Sequence, residues 1–164
     1  MRASSFEPMA APTAKVLVLG SLPGQESLRR HEYYAHPRNA FWRIVEDLFG
    51  IPAKSEYRER IRRLNDAGIA LWDVCAAAHR PGSLDGAIRG GSVDANDFAT
   101  FLGSHPRVTL IAFNGAKAAA LFRKHVHLET PRTIILPSTS PANATMAYDA
   151  KLKLWSEIRN VCES

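Results

Sequence analysis

Four short apolar runs, each ending abruptly in a polar or glycine-bearing loop, constrain this chain more than any other feature. Lys15–Leu19 (KVLVL) runs into Gly20-Ser21-Leu22-Pro23-Gly24, and Ile69–Val74 (IALWDV) leads to an irregular stretch from Ala77 to Gly91. Val108–Phe113 (VTLIAF) runs into Asn114-Gly115, and Arg132–Leu136 (RTIIL) into Pro137-Ser138-Thr139-Ser140-Pro141-Ala142-Asn143. Apolar runs this short read as strands, Lys15–Leu19 as a buried first one. Helical patterns separate them. In Ala40–Phe49 the residues Phe41, Ile44, Val45, Leu48 and Phe49 recur at i, i+3, i+4, i+7 and i+8, with Gly50 as the stop. Arg58–Leu64 is a basic helix, Asn96 or Asp97 can cap a short one through Leu102, and Ala116–Lys124 follows Asn114-Gly115. Tyr148 to Cys162 is amphipathic through Leu152, Trp155 and Ile158.

This alternation predicts an α/β fold, a three-layer α/β/α domain on a central, mainly parallel four-stranded sheet. Ligand sites of open α/β sheets lie outside the carboxyl ends of the strands. The four strand-end loops are therefore expected to share one cleft, with Gly20, Asn39, Asn114 and Ser138 converging on it. Residues 15–164 make one domain in this reading, and residues 1–14 a disordered extension.

The 164 residues carry 21 Lys and Arg against 16 Asp and Glu, a net charge of +5. That balance suits a polyanionic partner without requiring one. Cys75 and Cys162 have no metal-ligand spacing, so neither a disulfide framework nor a zinc or iron–sulfur site is expected, and a reducing cytoplasm is the expected location. No run approaches the length of a membrane span, and residues 1–14 lack the apolar core of a signal peptide.

Each candidate functional residue also has a structural role open to it. Gly20 and Gly24 allow the backbone close to a ligand, or simply make a tight turn. Tyr33 and Tyr34 offer flat faces to a base, or pack in the core. Asn39 precedes an apolar helix and can serve as its cap. Asn114 can be a turn residue before Ala116, and Ser138, Thr139 and Ser140 an ordinary hydroxyl-rich loop. His36 can donate a hydrogen bond to a ligand or serve a turn before Pro37. Trp42 and Phe41 read as core, and His125-x-His127, lacking a third ligand, as a solvated helix end.

The joint order is more informative than any single segment. GSLPG after the first strand, YYAHPRNAFW entering a helix, FNG at a strand end and LPSTSPAN after the last strand together resemble the uracil-DNA glycosylase superfamily, from Lys15 to the last helix. GSLPG stands where that superfamily has its first active-site motif, and LPSTSPAN is similar to its second. Leu22 and Leu136 replace polar residues used by most branches. This departure fits the hypoxanthine-DNA glycosylase (DNA-deoxyinosine glycosylase) branch, related to the mismatch-specific uracil-DNA glycosylases. That resemblance implies Asn39 as the catalytic amide and Asn114 as a second candidate. It implies a base pocket of Gly20, Ser21, Leu22, Pro23, Gly24, Tyr34 and His36, and DNA contacts from Ser138, Thr139, Ser140, Pro141, Ala142 and Asn143.

The implied activity is hydrolysis of the N-glycosidic bond of a deaminated base flipped out of double-stranded DNA, by a monomer without cofactor or metal. Ser138 and Ser140 would bond phosphates, Pro141-Ala142 would wedge the duplex, and Tyr34 would stack on the base. Amide N–H groups of Gly20 and Ser21 would stabilise charge on the departing purine. A side-chain amide does not titrate near neutrality, so Asn39 acts by hydrogen bonding and not as a general base. No lysine beside the motifs is an evident Schiff-base nucleophile, which points to a monofunctional enzyme. The rival readings are a uracil or xanthine glycosylase of the same fold, a non-catalytic damage binder, and a small nucleotide-binding protein. The last lacks both the P-loop ending and the GxGxxG turn. With no ligand set in the sequence, base release is expected to continue unchanged in EDTA; loss of activity that zinc restores would refute the metal-independent reading.

Overall fold

The computed structural model describes residues 2–79 and 92–164. Four parallel strands form its centre: β2 (Val16–Gly20), β3 (Ile69–Asp73), β6 (Leu110–Asn114) and β7 (Arg132–Leu136), in the order β3-β2-β6-β7. The register pairs Gly20 with Asp73, Leu19 with Phe113, and Asn114 with Leu136, so all four strands end at one level.

Alternation along these strands divides the core in two. Leu17, Leu19, Ala70, Trp72, Ile111 and Phe113 face one side, where they meet α4 (Phe98–Ser104) and α5 (Ala116–His125) through Phe98, Phe101, Ala118 and Phe122. Val16, Val18, Ile69, Leu71, Leu110 and Ala112 face the other, against α2 (Phe41–Phe49), α3 (Tyr57–Asp66) and α6 (Tyr148–Glu163). Phe41, Ile44, Val45, Leu64, Trp155 and Ile158 fill that layer and are fully buried. The three-layer α/β/α architecture predicted from strand and helix alternation is present. Trp72 packs edge-on to Phe98, and Phe41 to Trp155, so each layer has an aromatic anchor.

Several boundaries and elements differ from the sequence expectation. The first turn after β2 holds a short helix, α1 (Gln25–Arg30), whose Glu26 pairs with Arg29 and Arg30. Asp97 caps α4 by accepting from Thr100 N at 3.1 Å, which settles the choice between Asn96 and Asp97. The stretch expected to be irregular from Ala77 contains part of β4 (Cys75–His79); residues 80–91 lie outside the described residues. β4 lies between β1 (Arg2–Ser4) and β5 (Asp94–Ala95) in a small antiparallel sheet.

The disordered extension expected for residues 1–14 is therefore not what the fold shows for its described part. Beyond β1, Met9 bridges Leu71, Trp72 Nε1 donates to Phe6 O at 3.0 Å, and Tyr33 Oη donates to Glu7 O at 3.2 Å. Asn65 Nδ2 donates to Met9 O at 3.1 Å, and the Phe6 ring stands edge-on to Tyr33. The segment has no periodic pattern of its own; donors from distant elements order it. Deleting residues 2–8 is expected to cost about 2–4 kcal/mol, from two partly buried hydrogen bonds and an aromatic contact. That corresponds to a melting temperature lower by roughly 5–15 °C; an unchanged melt would show the segment to be a passive tail.

Candidate active site

The common level of the strand ends opens into a cleft of about 830 Å³. Gly20 to Gly24, Tyr34, His36 and Asn39 line one part of it, and Asn114 and Ser138 to Asn143 the other. All the sequence-nominated residues are thus brought together. A second hollow of about 260 Å³ beside Phe49 and Ile51 shares none of them, and there Arg62 pairs with Asp66.

The loop after β7 is held from inside. Asn114 is 7% exposed; its Nδ2 donates to Thr139 Oγ1 at 2.9 Å, and its Oδ1 accepts from Thr139 N at 2.9 Å. Trp155 Nε1 donates to Pro137 O at 2.9 Å, Ala40 N to Thr139 O at 2.9 Å, and Lys151 Nζ to Asn143 O at 2.6 Å. Burial of Lys151 lowers the pKa of its ammonium. Gly115 completes the clamp. At φ 98° it takes a conformation disfavoured for other residues, and a Cβ there would lie 3.1 Å from Ser138 Cβ.

This clamp sorts the nominated loop residues by role. Thr139 is 1% exposed, and its hydroxyl faces Asn114. Asn143 Nδ2 donates to Ser138 O at 3.1 Å, so that side chain also works within the loop. Ser138 Oγ accepts from Ser140 N, and Ser140 Oγ from Ala142 N, both at 3.2 Å. Each hydroxyl uses a lone pair in this way and keeps its O–H to donate.

Asn39 closes a turn by donating its N–H to His36 O at 2.9 Å, and its Oδ1 accepts from Phe41 N at 2.9 Å. The helix-start role is therefore real. It occupies only the acceptor end of the amide; among the described residues Nδ2 has no hydrogen-bond partner and the side chain lines the cleft. His36 Nδ1 accepts from Arg38 N at 3.1 Å, which assigns the proton of the neutral ring to Nε2. Tyr34, at φ 57°, stacks on Phe41 with centroids 4.2 Å apart. Its ring is thus braced from behind by α2. Tyr33 is 2% exposed, and both burial and the charge of Asp73 raise its phenol pKa.

Leu22, 6% exposed, packs in the core and offers no polar group. Leu136, 4% exposed, does the same on the other side of the sheet. Sequence reasoning passed over several polar residues of the cleft, among them Asp73, Lys117 and Arg38. Asp73 is 3% exposed, and its Oδ1 lies 2.7 Å from where a Cβ on Gly20 would be. The available signal was a carboxylate ending an otherwise apolar strand. Lys117, the second residue of α5, lies two positions beyond the FNG turn.

Comparison with known proteins agrees with this geometry. The model of the uracil DNA glycosylase superfamily matches residues 8–159. A protein of Methanosarcina barkeri (strain Fusaro / DSM 804) named hypoxanthine DNA glycosylase is 35% identical over 144 residues, covering 87% of this chain and 89% of its own. One of the same name from Methanosarcina acetivorans is 37% identical over 139 residues, covering 84% and 86%. A solution NMR structure of a candidate uracil DNA glycosylase from Methanosarcina acetivorans superimposes with a TM-score of 0.82 at 32% identity, over 100% of both chains. With a family match over residues 8–159 and relatives above 30% identity across most of its length, the chain belongs to the uracil DNA glycosylase superfamily.

Proposed function

We propose that this protein is a monofunctional DNA glycosylase that releases hypoxanthine, the deamination product of adenine, from DNA. The observation that carries the reading is the Asn39 amide in the lining of the cleft, its acceptor held by Phe41 N and its donor without a partner among the described residues, beside a loop clamped by Asn114. The relatives named hypoxanthine DNA glycosylase support the choice of base. So does the apolar Leu22, which cannot activate water as a polar residue there could.

A base stacked in a duplex is out of reach of such a pocket, so the nucleotide is extruded, at least cost where deamination has weakened its pairing. Ser138 and Ser140 hydroxyls meet the flanking phosphates, and Pro141-Ala142 fills the space the base has left. Tyr34, backed by Phe41, gives the base a stacking face. As the C1′–N9 bond lengthens, positive charge spreads over the sugar and negative charge over the purine. Fixed donors, the Asn39 amide and the N–H groups of Gly20 and Ser21, stabilise that separation. Water adds to C1′ and loses a proton to solvent, and the departing purine anion takes up one proton from solvent. Asn114, both ends of its amide engaged by Thr139, acts in this scheme as a positioning residue.

Incubation with duplexes containing hypoxanthine, xanthine or uracil, followed by alkaline cleavage of abasic sites, tests the assignment; absence of abasic sites in all three would reduce the protein to a damage binder. Asn39→Ala is expected to lower single-turnover base release by about 10²–10³ while DNA binding is nearly retained. If Asn39 only starts the helix, the same change costs about 1 kcal/mol of stability and leaves the rate per folded molecule unchanged. Asn39→Asp separates the two, since it keeps the acceptor for Phe41 N and removes the donor: retained melting temperature with lost release is the expected outcome.

Lys117 and Arg38 line the same cleft as cations and suit phosphates flanking the extruded nucleotide. Lys117→Ala is expected to weaken binding to damaged and undamaged duplexes alike and to reduce the slope of log K against log salt by about 1. A loss confined to damaged DNA would place Lys117 in the base pocket instead.

A further inference from the structure

Tyr34 is held in a backbone conformation that its own residue type opposes. Its φ of 57° lies in the left-handed region, which bulky side chains seldom enter and which persists only where surrounding contacts over-determine it. The peptide units on both sides of Tyr34 are pinned. On the preceding side, Trp42 Nε1 donates to Tyr33 O at 2.9 Å. On the following side, Ala35 N donates to Ser27 Oγ at 3.1 Å. Peptide units are planar, so holding the two that flank Tyr34 holds the torsions between them.

Each anchor is itself secured. Trp42, 6% exposed in α2, stands edge-on to Phe41 and to Tyr57, with the Arg60 guanidinium 4.6 Å over its ring. Tyr57 reaches the same stretch from α3 and accepts from Tyr33 N at 3.0 Å. Ser27, 7% exposed, is the buried residue of α1. Its carbonyl accepts from Glu32 N at 3.2 Å as the chain leaves that helix, so one residue gathers both ends of the segment from Glu32 to Ala35.

The ring of Tyr34 inherits this arrangement. Phe41 covers one face, with centroids 4.2 Å apart, and the side chain lines the cleft. A return to an ordinary φ would be a rotation of more than roughly 100°, which would carry the Cβ direction, and the ring with it, away from Phe41.

We propose that Ser27 and Trp42 are positioning residues that hold Tyr34 left-handed and so preform the face on which the extruded base stacks. This rests on the glycosylase reading above. Neither residue has to touch the nucleotide. Their part is to have Tyr34 ordered before the base arrives, so that its ordering does not weigh against binding. α1 adds Leu28 to the core and, through Ser27, sets a wall of the cleft.

Ser27→Ala removes the acceptor for Ala35 N, and Trp42→Phe removes the donor to Tyr33 O while keeping an aromatic ring in α2. Each is measured alone and combined with Tyr34→Ala, as the single-turnover rate of hypoxanthine release from a 2′-deoxyinosine duplex per folded molecule. Ser27→Ala is expected to slow release at least about fivefold, the lower end of what base–aromatic stacking contributes. Once Tyr34 is alanine, the same change is expected to slow it less than about twofold. A residue that only stabilised α1 would lower the melting temperature and leave this rate alone. Where Ser27→Ala does not fold, Trp42→Phe is read by the same thresholds. Where Tyr34→Ala releases too little base to time, the comparison uses affinity for a duplex bearing the 2′-fluoroarabino analogue of deoxyinosine, which resists cleavage, relative to undamaged duplex.

Unslowed release in the variant read, or slowing of similar size with and without Tyr34, overturns the positioning role. So does a Tyr34→Ala protein as fast as wild type. Absence of abasic sites from hypoxanthine, xanthine and uracil duplexes alike with the wild-type protein refutes the glycosylase reading itself. If the wild-type protein acts on uracil alone, deoxyuridine and its 2′-fluoroarabino analogue replace the inosine pair, with the same thresholds and the same meaning.

Discussion

The hydrogen-bonded pair between Asn114 and Thr139 ties together the parts of the cleft that come from different ends of the chain. A residue ending β6 satisfies both the backbone and the hydroxyl of a residue in the loop after β7. Through Thr139 O the same loop receives the N–H of Ala40, so the start of α2, and Asn39 with it, is set against the loop. Replacing Asn114 with an apolar residue would leave buried polar groups of Thr139 unsatisfied, and the loop would have to move to recover water. The pair lies in the floor, behind the surface that would meet DNA. Its contribution is geometric.

The rest of the loop repeats that economy. Trp155 and Lys151 of α6 each donate to a loop carbonyl, which makes the last helix a scaffold for a segment without regular structure of its own. Hydroxyls and amides within the loop are divided between inward and outward duties. Ser138 and Ser140 accept locally and can still donate outward, whereas Thr139 and Asn143 are spent on the fold. A sequence of small polar residues thereby carries a rigid surface.

Much of this was legible from sequence because the determining pattern is local. α2 shows its buried face as a helical period, and β7 follows the bounds of its apolar run. What the sequence hid depends on distant partners. β4 is CAAAH, and alanine has little preference for strands; the segment extends because β1 and β5 hydrogen-bond to it. α1 has one apolar residue, Leu28, facing the core, and owes its surface support to the Glu26 ion pairs. The first residues of the chain carry no periodic signal because their order comes from Trp72, Tyr33 and Asn65. Asp73 was overlooked for the same reason. An acid at a strand end reads as a solvent-facing stop until the register places it opposite Gly20 under the cleft.

The approach of Asp73 to Gly20 also binds the two positions to each other in any sequence change. With Oδ1 only 2.7 Å from the point a Cβ would occupy, alanine at position 20 cannot be accepted while the carboxylate stays where it is. A shorter residue at 73 would relieve the collision, so the two substitutions together should be less damaging than the sum of each alone. The identities of the two positions are consequently coupled at this corner of the fold: a larger residue at 20 requires the acid at 73 to shorten or to turn away.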